Sequence, residues 1–330
     1  MIRIGLLGAG RIGQIHARAV SALDNVEIVA VYDPFDEAAA YVQAMTGAAR
    51  RTSVMEIVDD PEINAVIIAS PTNQHADQII EAAQAGKHIF CEKPIDLDLK
   101  KVRECVDEVE KAGVQLMIGF NRRFDYNFNA VKRNIDNGEV GEVELVQITS
   151  RDPEAPSAAY LKNSGGLFLD MMIHDFDMAR YMLDDDIVEV FATGSVLTDP
   201  EIGKIGDLDT ATATLKTAKG RIAVITNSRR ASYGYDQRVE VHGSKGMVRA
   251  DNLRGTSVTL ATKQGYRSDP LLDFFIQRYA EAYKAELQTF CRLLAGQNEI
   301  YPDHVDGMKA IELAHAAQQS FKTGKAVKIR

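Results

Sequence analysis

The chain has 330 residues, of which 45% are hydrophobic and 26% charged, and its formal net charge is -9 with a pI near 5.4. Such an acidic chain lacks the basic face that a nucleic acid or an anionic membrane surface needs, so neither is an expected partner. Its three cysteines show no CxxC spacing, which argues against a disulfide framework or a structural zinc site and fits a reducing compartment. With no signal-peptide pattern and no apolar run of about 18 residues, we expect a cytoplasmic protein.

The first 120 residues alternate short apolar runs with amphipathic stretches. Strands are predicted at 2–7, 26–32, 65–69, 87–91 and 115–119, and helices at 11–23, from 35, at 74–85 and at 98–112. Near-continuous apolar strands separated by helices are typical of a parallel sheet that is covered on both faces. We therefore predict an N-terminal α/β Rossmann domain, a doubly wound parallel sheet, over residues 1–120.

After residue 120 the pattern changes to runs of strands joined by tight turns. A helix at 125–137 is followed by strands predicted at 142–151, 187–197, 208–216, 220–228, 235–243 and 247–250, with one helix at 167–183 and two more at 271–295 and 303–323. Strands joined by short turns indicate antiparallel pairing. Residues 121–330 are therefore expected to form a C-terminal α+β domain with a large open, mainly antiparallel sheet, and the last helices can pack back on the first domain.

A glycine-rich loop between the first strand and the first helix indicates a dinucleotide site. Gly8, Gly10 and Gly13 form a G-x-G-x-x-G, with Arg11 and Ile12 inside it. The glycines suit a tight turn, the close approach of the backbone to a pyrophosphate, and close packing of helix on strand. The start of the helix then offers free N–H groups and a positive dipole end to the phosphates.

The acidic residue that ends the second strand selects the cofactor. Asp33 lies 20 residues after Gly13, where a carboxylate accepts hydrogen bonds from the adenosine ribose hydroxyls. Its charge repels a 2′-phosphate, so the sequence predicts NAD. Arg11 is within the loop and is able to reach a 2′-phosphate, so tolerance of NADP stays open.

Two further strand ends are expected to face the same cofactor. Ser70 and Thr72 follow the strand at 65–69, and Glu92 and Lys93 follow the strand at 87–91. Ligands of open α/β sheets bind at the carboxyl ends of the parallel strands. We therefore include these four residues in the cofactor site.

Three side chains supply the parts that oxidation of an alcohol requires. Asp170 and His174 are spaced i and i+4, on one face of a predicted helix. Histidine suits the general base because its pKa lies near neutrality, and the Lys93 ammonium would stabilise a developing alkoxide. Without Lys93, a capped or core histidine would be the favoured interpretation of His174. No Cys/His/Glu set has zinc spacing, so proton transfer is expected to run without a metal.

The sequence resembles the Gfo/Idh/MocA family of sugar and polyol oxidoreductases. The likeness rests on GLLGAGRIG, on EKP and on the GGxxxDxxxHD stretch, and it covers essentially the whole chain. Within the family it is most similar to the inositol 2-dehydrogenases, through SRDPEAPSAAYLKNSGGLFLDMMIHDFDMARYM, GDLDTATATLK, YGYDQRVEVHGSKG and FFIQRYAEAY. The resemblance implies NAD-dependent oxidation of one secondary hydroxyl of inositol, from myo-inositol to scyllo-inosose, by a homotetramer.

The resemblance also implies roles for individual residues. His174 is the general base, assisted by Lys93 and Asp170. The residues expected to line the polyol pocket are Lys93, Arg123, Arg151, Asp152, Asp170, His174, Tyr235 and Tyr279. For Tyr235 and Tyr279 a role as half-buried packing residues remains open.

Other functions stay open alongside this one. A dehydrogenase for scyllo-inositol, for another inositol isomer or for a pyranose such as glucose would share the same chemistry. A non-catalytic NAD-binding regulator is a rival from another class, but it has no need to keep the lysine and the Asp/His pair.

Overall fold

Two parts of the chain fold around separate sheets in the computed structural model, which describes residues 1–329. The first unit comprises Met1–Phe124 together with Glu281–Ile311. The second comprises Asp125–Ala280 together with the chain from Glu312 onward.

The sheet of the first unit has six strands. They are β1 Ile2–Leu7, β2 Val26–Tyr32, β3 Ala49–Arg50, β4 Ala65–Ile68, β5 His88–Cys91 and β6 Leu116–Ile118. All pairs are parallel, in the order β3-β2-β1-β4-β5-β6. The whole of β4 is buried, which explains its unbroken apolar sequence. The predicted Rossmann sheet is confirmed, and its strand order changes direction between β1 and β4, where such sheets bind ligands.

Helices alternate with these strands. They are α1 Arg11–Val20, α2 Asp36–Thr46, α3 Met55–Val58, α4 His75–Gln84 and α5 Leu99–Ala112. The start of α5 is capped by Asp98, whose carboxylate accepts a hydrogen bond from the backbone N–H of Lys100 at 2.9 Å. Its end is followed by Gly113 with φ +67°, a left-handed conformation that glycine adopts without strain.

The second unit is built on a seven-stranded sheet. Its strands and those of a separate ribbon are β7 Val143–Arg151, β8 Ile187–Ser195, β9 Thr210–Thr217, β10 Ile222–Ser228, β11 Asp236–Gly243, β12 Gly246–Ala250, β13 Thr259–Thr262, β14 Gly265–Ser268 and β15 Val327–Lys328. The order is β12-β11-β7-β10-β9-β8-β15, and only the β7–β10 pair among these is parallel. The predicted open, mainly antiparallel sheet is confirmed.

The ribbon of β13 and β14 was not predicted from the sequence. All eight of its strand residues are exposed on both faces. A strand without a buried face needs no alternation of apolar and polar residues, so the sequence carries no period-two signal there.

Two of the helices predicted for the rest of the chain are each divided in the structure. The remaining helices are α6 Tyr126–Asp136, α7 Ala158–Leu161, α8 Leu167–Asp170, α9 Ile173–Leu183, α10 Pro200–Lys204, α11 Phe275–Arg278, α12 Ala280–Leu294 and α13 His304–Thr323. The predicted helix at 271–295 is divided at Tyr279, whose φ of −113° lies outside the helical range. The predicted helix at 167–183 is divided between α8 and α9. Across residues 1–329, no helix combines the length and apolarity that a membrane crossing requires.

Candidate active site

The glycine loop has the geometry that its sequence predicts. Gly8 has φ +94°, and a Cβ there would lie 2.6 Å from the backbone of Ala69. At Gly13 a Cβ would lie 2.0 Å from the carbonyl oxygen of Gly8, so only glycine lets α1 approach β1 this closely. A Cβ on exposed Gly10 would meet no atom within 4 Å. That open side at the start of α1 is where the backbone can approach a pyrophosphate.

Asp33 joins this loop to the end of β2. Its Oδ2 accepts a hydrogen bond from the backbone N–H of Ala9 at 2.7 Å, and its Oδ1 accepts one from the N–H of Phe35 at 2.8 Å. Each carboxylate oxygen keeps further acceptor capacity for a ribose hydroxyl. Asp33 therefore shapes the loop as well as carrying the charge on which the NAD prediction rests. Arg11 is exposed at the first position of α1.

The loops after β4 and β5 are tied together by a buried histidine. The two ring nitrogens of His75 each lie 2.8 Å from a backbone carbonyl oxygen, one of Ser70 and one of Pro94. Burial lowers the pKa of His75, against the opposing effect of the two carbonyl contacts. Ser70 also donates from its hydroxyl to Gln78 at 2.7 Å. Lys93 is half-buried and directly precedes Pro94, whose carbonyl oxygen contacts His75 at the start of α4.

Thr72 and Glu92 occupy different environments at these strand ends. Thr72 is half-buried and begins a short 3-10 turn. The carboxylate of Glu92 turns inward, with Oε1 2.7 Å from Nε2 of His16 on α1. Contacts of either side chain with the cofactor stay a prediction.

In the second unit, Asp170 lies in a cluster of charged and hydroxyl groups. Its Oδ1 accepts a hydrogen bond from the Tyr160 hydroxyl at 2.7 Å, and its Oδ2 accepts one from the Arg229 guanidinium at 3.2 Å. Arg229 is only 1% exposed and also lies 3.8 Å from Asp207. Asp207 in turn accepts from the backbone N–H of Leu167, the first residue of α8, at 2.8 Å. Asp170 is thus held as an acceptor by two donors from different parts of the chain.

The helix break lies between Asp170 and His174. The N–H groups of Met171 and Met172 donate to the same carbonyl oxygen, that of Leu167, at 3.0 and 2.9 Å. The second of these is an i to i−5 bond, the pattern of a π-type turn, which recurs at functional sites. The sequence predicted that Asp170 and His174 lie one turn apart on a single regular helix. In the structure they lie on either side of this bulge.

The residue after His174 anchors α9 to the sheet. Asp175 is fully buried and accepts hydrogen bonds from the Ser150 hydroxyl on β7 at 2.6 Å and from the Asn227 amide on β10 at 2.8 Å. Because neighbouring backbone positions move together, this anchor also restrains half-buried His174.

The expected polyol-pocket tyrosines have mainly packed surroundings. The rings of Tyr235 and Tyr279 meet edge to face with centroids 6.1 Å apart, and they are 6% and 1% exposed. Tyr279 donates from its hydroxyl to Gln237 at 3.3 Å. Their contact with a substrate stays a prediction, while their packing is an observed feature.

A neighbouring tyrosine, Tyr233, is more exposed than Tyr235. Tyr233 is 50% exposed, accepts from the Arg151 guanidinium at 2.7 Å and donates to Asp236 at 2.6 Å. It lines a cavity of about 860 Å³. Gly234 between the two tyrosines has φ +117°, which breaks the regular alternation of side chains. Residue spacing alone does not predict this conformation.

Two other expected pocket residues have defined partners. Arg123 is 8% exposed and forms a two-bond ion pair with Asp306 at 3.0 Å, within the first unit. Asp152, half-buried after β7, donates its backbone N–H to the carbonyl of Ser228 at 2.9 Å. Substrate contacts by either residue stay a prediction.

Family comparison covers both halves of the chain. Residues 2–120 match the model of the oxidoreductase family with an NAD-binding Rossmann fold, and residues 128–249 match the GFO/IDH/MocA C-terminal domain. The chain belongs to the Gfo/Idh/MocA family of oxidoreductases. As a member of this family it is an NAD-dependent oxidoreductase, which confirms the cofactor predicted from the glycine loop.

The proteins that this Gfo/Idh/MocA oxidoreductase matches over its full length include inositol dehydrogenases. It is 51% identical to the inositol 2-dehydrogenase of Rhizobium meliloti over 99% of both chains. A crystal structure of a myo-inositol dehydrogenase from Corynebacterium glutamicum superposes with a TM-score of 0.96 at 42% identity, covering 100% of this chain and 99% of that one. A scyllo-inositol dehydrogenase from Lactobacillus casei, solved with NAD(H) and scyllo-inositol, gives 0.92 at 31% identity, with 99% of each chain covered.

The residues of this Gfo/Idh/MocA chain fit NAD. The open side of Gly10 and the start of α1 suit the pyrophosphate, and Asp33 suits the ribose hydroxyls. Sequence reasoning missed three supporting residues, which are His75, Arg229 and Tyr233. The sequence contained a signal for two of them. His75 lies in the chain between the loops of Ser70 and Lys93, and Tyr233 lies in the YGYD segment that resembles the family. Arg229 had none, since its contact with Asp170 spans 59 positions.

Proposed function

We propose that this protein is an inositol 2-dehydrogenase that oxidises one secondary hydroxyl of myo-inositol to the ketone of scyllo-inosose. The full-length identity with the Rhizobium meliloti inositol 2-dehydrogenase carries the proposal. The polar cluster around Asp170 supports it, because a polyol needs strong acceptors that are held in place.

Each proposed catalytic residue has a distinct task. NAD, when bound, accepts the hydride that leaves the carbon. His174 takes the hydroxyl proton, and the Lys93 ammonium stabilises the negative charge that develops on the oxygen. Asp170, held by Tyr160 and Arg229, accepts a hydrogen bond from a neighbouring hydroxyl and thereby orients the ring.

The test is a panel of inositol isomers and common pyranoses, each with NAD and with NADP, followed by the absorbance of the reduced cofactor. We expect the highest kcat/KM with myo-inositol and NAD, and identification of the ketone product confirms the reaction. Absence of cofactor reduction with every polyol and pyranose would reject the dehydrogenase and favour an NAD-binding regulator.

A second candidate is oxidation of scyllo-inositol. The observation that favours it is the structural match to the Lactobacillus casei enzyme, which was solved with that isomer. The two isomers differ in the orientation of one hydroxyl, so the ratio of their kcat/KM values decides between the candidates.

We also propose a homotetramer, on the family resemblance. Light scattering coupled to gel filtration measures the molar mass directly. A mass near four times 36.3 kDa is expected, and a monomer mass would contradict the proposal.

A further inference from the structure

A buried carboxyl group on α12 has no role in the chemistry described so far. Glu286 is fully buried, and neither of its side-chain oxygens has a hydrogen-bond partner among the described residues. One ligand atom each from Glu286, His16 and Glu92 lies within 4.8 Å of the others. All three belong to the first unit, and the side chains of His16 and Glu92 are 0% and 12% exposed.

Two carboxylates this close in a buried place cannot both carry a charge without a large penalty. An isolated buried carboxylate is strongly disfavoured, and a second one nearby adds repulsion. Burial, and then the charge of Glu92, raise the pKa of Glu286 well above the usual carboxyl range. The charged and titratable groups that face Glu286 from neighbouring elements are His16 on α1 and Glu92 after β5.

The contact between His16 and Glu92 gives one of the two carboxyl groups a partner. Their Nε2 and Oε1 atoms are 2.7 Å apart, which is the length of a direct hydrogen bond. Glu92 therefore has the histidine as its partner, and Glu286 is left to hold a proton.

We propose that Glu286 is an un-ionised carboxylic acid at neutral pH and acts as a positioning residue for Glu92, and through Glu92 for Lys93. A Cβ at Gly119, directly after β6, would lie 3.1 Å from the Glu92 carboxyl carbon, so that carboxylate packs closely against the glycine. His16 on α1 is hydrogen-bonded to the Glu92 carboxylate, and the Glu286 side chain on α12 packs close to it. The importance of Lys93 rests on the proposed function, whereas the protonation of Glu286 does not.

Infrared spectroscopy tests the protonation directly. The C=O stretch of an un-ionised carboxyl group lies above the amide I band and shifts in D2O. We expect such a band at neutral pH in the wild-type protein, its loss in Glu286→Gln, and its retention in Glu281→Gln, a control at an exposed position of the same helix. If no band responds to the Glu286→Gln change, the proposal is overturned.

Thermal unfolding provides a second, independent readout. A carboxyl group whose folded pKa is raised stabilises the fold fully only below its unfolded pKa, and this contribution is lost as pH rises. Glutamine keeps the neutral shape without that loss. The Tm of Glu286→Gln should therefore exceed that of the wild type by a margin that grows between about pH 5 and about pH 8. A stoichiometric metal ion that the variant loses, together with a lower Tm, would show instead that Glu286 is an ionised ligand.

Steady-state kinetics tests the positioning role. Glu286→Ala should lower kcat by about tenfold through displacement of Lys93, with an unchanged Kd for NAD, and Glu286→Gln should restore most of the loss. Equal kcat in both variants and in the wild type would overturn the positioning role. Should the wild type oxidise no polyol, the proposed function fails, while the infrared and melting results still decide the state of Glu286.

Discussion

The guanidinium of Arg229 holds the carboxylate of Asp170, with Nη2 3.2 Å from Oδ2, inside the second unit. Arg229 is 1% exposed, so this is a desolvated charge pair rather than a surface contact. Tyr160 donates to the other oxygen of Asp170, and Asp207 shares the arginine at 3.8 Å. A carboxylate that is paired in this way stays in one orientation, as an acceptor for a polyol hydroxyl requires.

Loss of Arg229 should damage both stability and turnover. Arg229→Met leaves the fully buried cation site empty beside two largely buried carboxylates, which costs roughly 3–5 kcal/mol of unfolding free energy. Displacement of Asp170 should lower kcat roughly 10- to 100-fold. Denaturant unfolding and inositol oxidation measure the two effects, with exposed Arg230→Met as the matched control. Arg229→Lys keeps the charge and should fold, so wild-type kcat in that variant would show that a cation at this position is sufficient and that the guanidinium is not needed.

His174 should be needed for chemistry and not for cofactor binding. His174→Ala removes the proposed base, so kcat should fall by roughly two to four orders of magnitude while the Kd for NAD stays unchanged. Stopped-flow turnover and calorimetric titration with NAD separate the two quantities. Exposed His242→Ala on β11 is the control. Turnover near the wild-type rate in His174→Ala would assign the base elsewhere.

Asp33 should control both the shape of the loop and the choice of cofactor. Asp33→Ser removes the charge that opposes a 2′-phosphate and the acceptor for the Ala9 N–H, so the NAD/NADP preference should fall by about tenfold or more. The ratio of kcat/KM values for the two cofactors measures this. Adding Arg11→Ala to Asp33→Ser tests whether the exposed arginine binds the phosphate, because NADP use should then decline again. An unchanged preference in Asp33→Ser would remove Asp33 as the selector.

His75 should make the fold sensitive to mild acid. Burial lowers its pKa below the usual value of 6.5, so below that pH the unfolded chain takes up a proton that the folded protein does not bind. The contribution to stability is present above about pH 6.5 and is lost as pH falls, by at most about 1.4 kcal/mol per pH unit.

Denaturant unfolding between about pH 7 and about pH 5 should therefore show a steeper loss in the wild type than in His75→Gln. Exposed His242→Gln should retain the wild-type slope. Parallel curves for the wild type and His75→Gln would indicate that His75 is protonated in the fold.

The periodic parts of the fold were predictable because their burial is regular. Each of the four residues of β4 is buried, and the alternating burial of β9 follows its alternating sequence. The exposed ribbon of β13 and β14 lacks such a pattern and was missed. The break between α8 and α9 depends on a carbonyl of Leu167 that accepts from both Met171 and Met172, a backbone arrangement that side-chain spacing does not encode.

For this protein, the sequence alone determined the Rossmann loop, the NAD cofactor and the two sheet types. The loop depends on local steric limits at Gly8 and Gly13 and the sheet types on the period of apolar residues, while the NAD prediction rested on the charge of Asp33. Only the tertiary structure decided which groups lie beside the buried titratable side chains, since the Arg229–Asp170 pair and the Glu286, His16 and Glu92 cluster join distant segments. Burial makes an unpartnered charge costly, and the partner is set by how the elements pack rather than by their order in the chain.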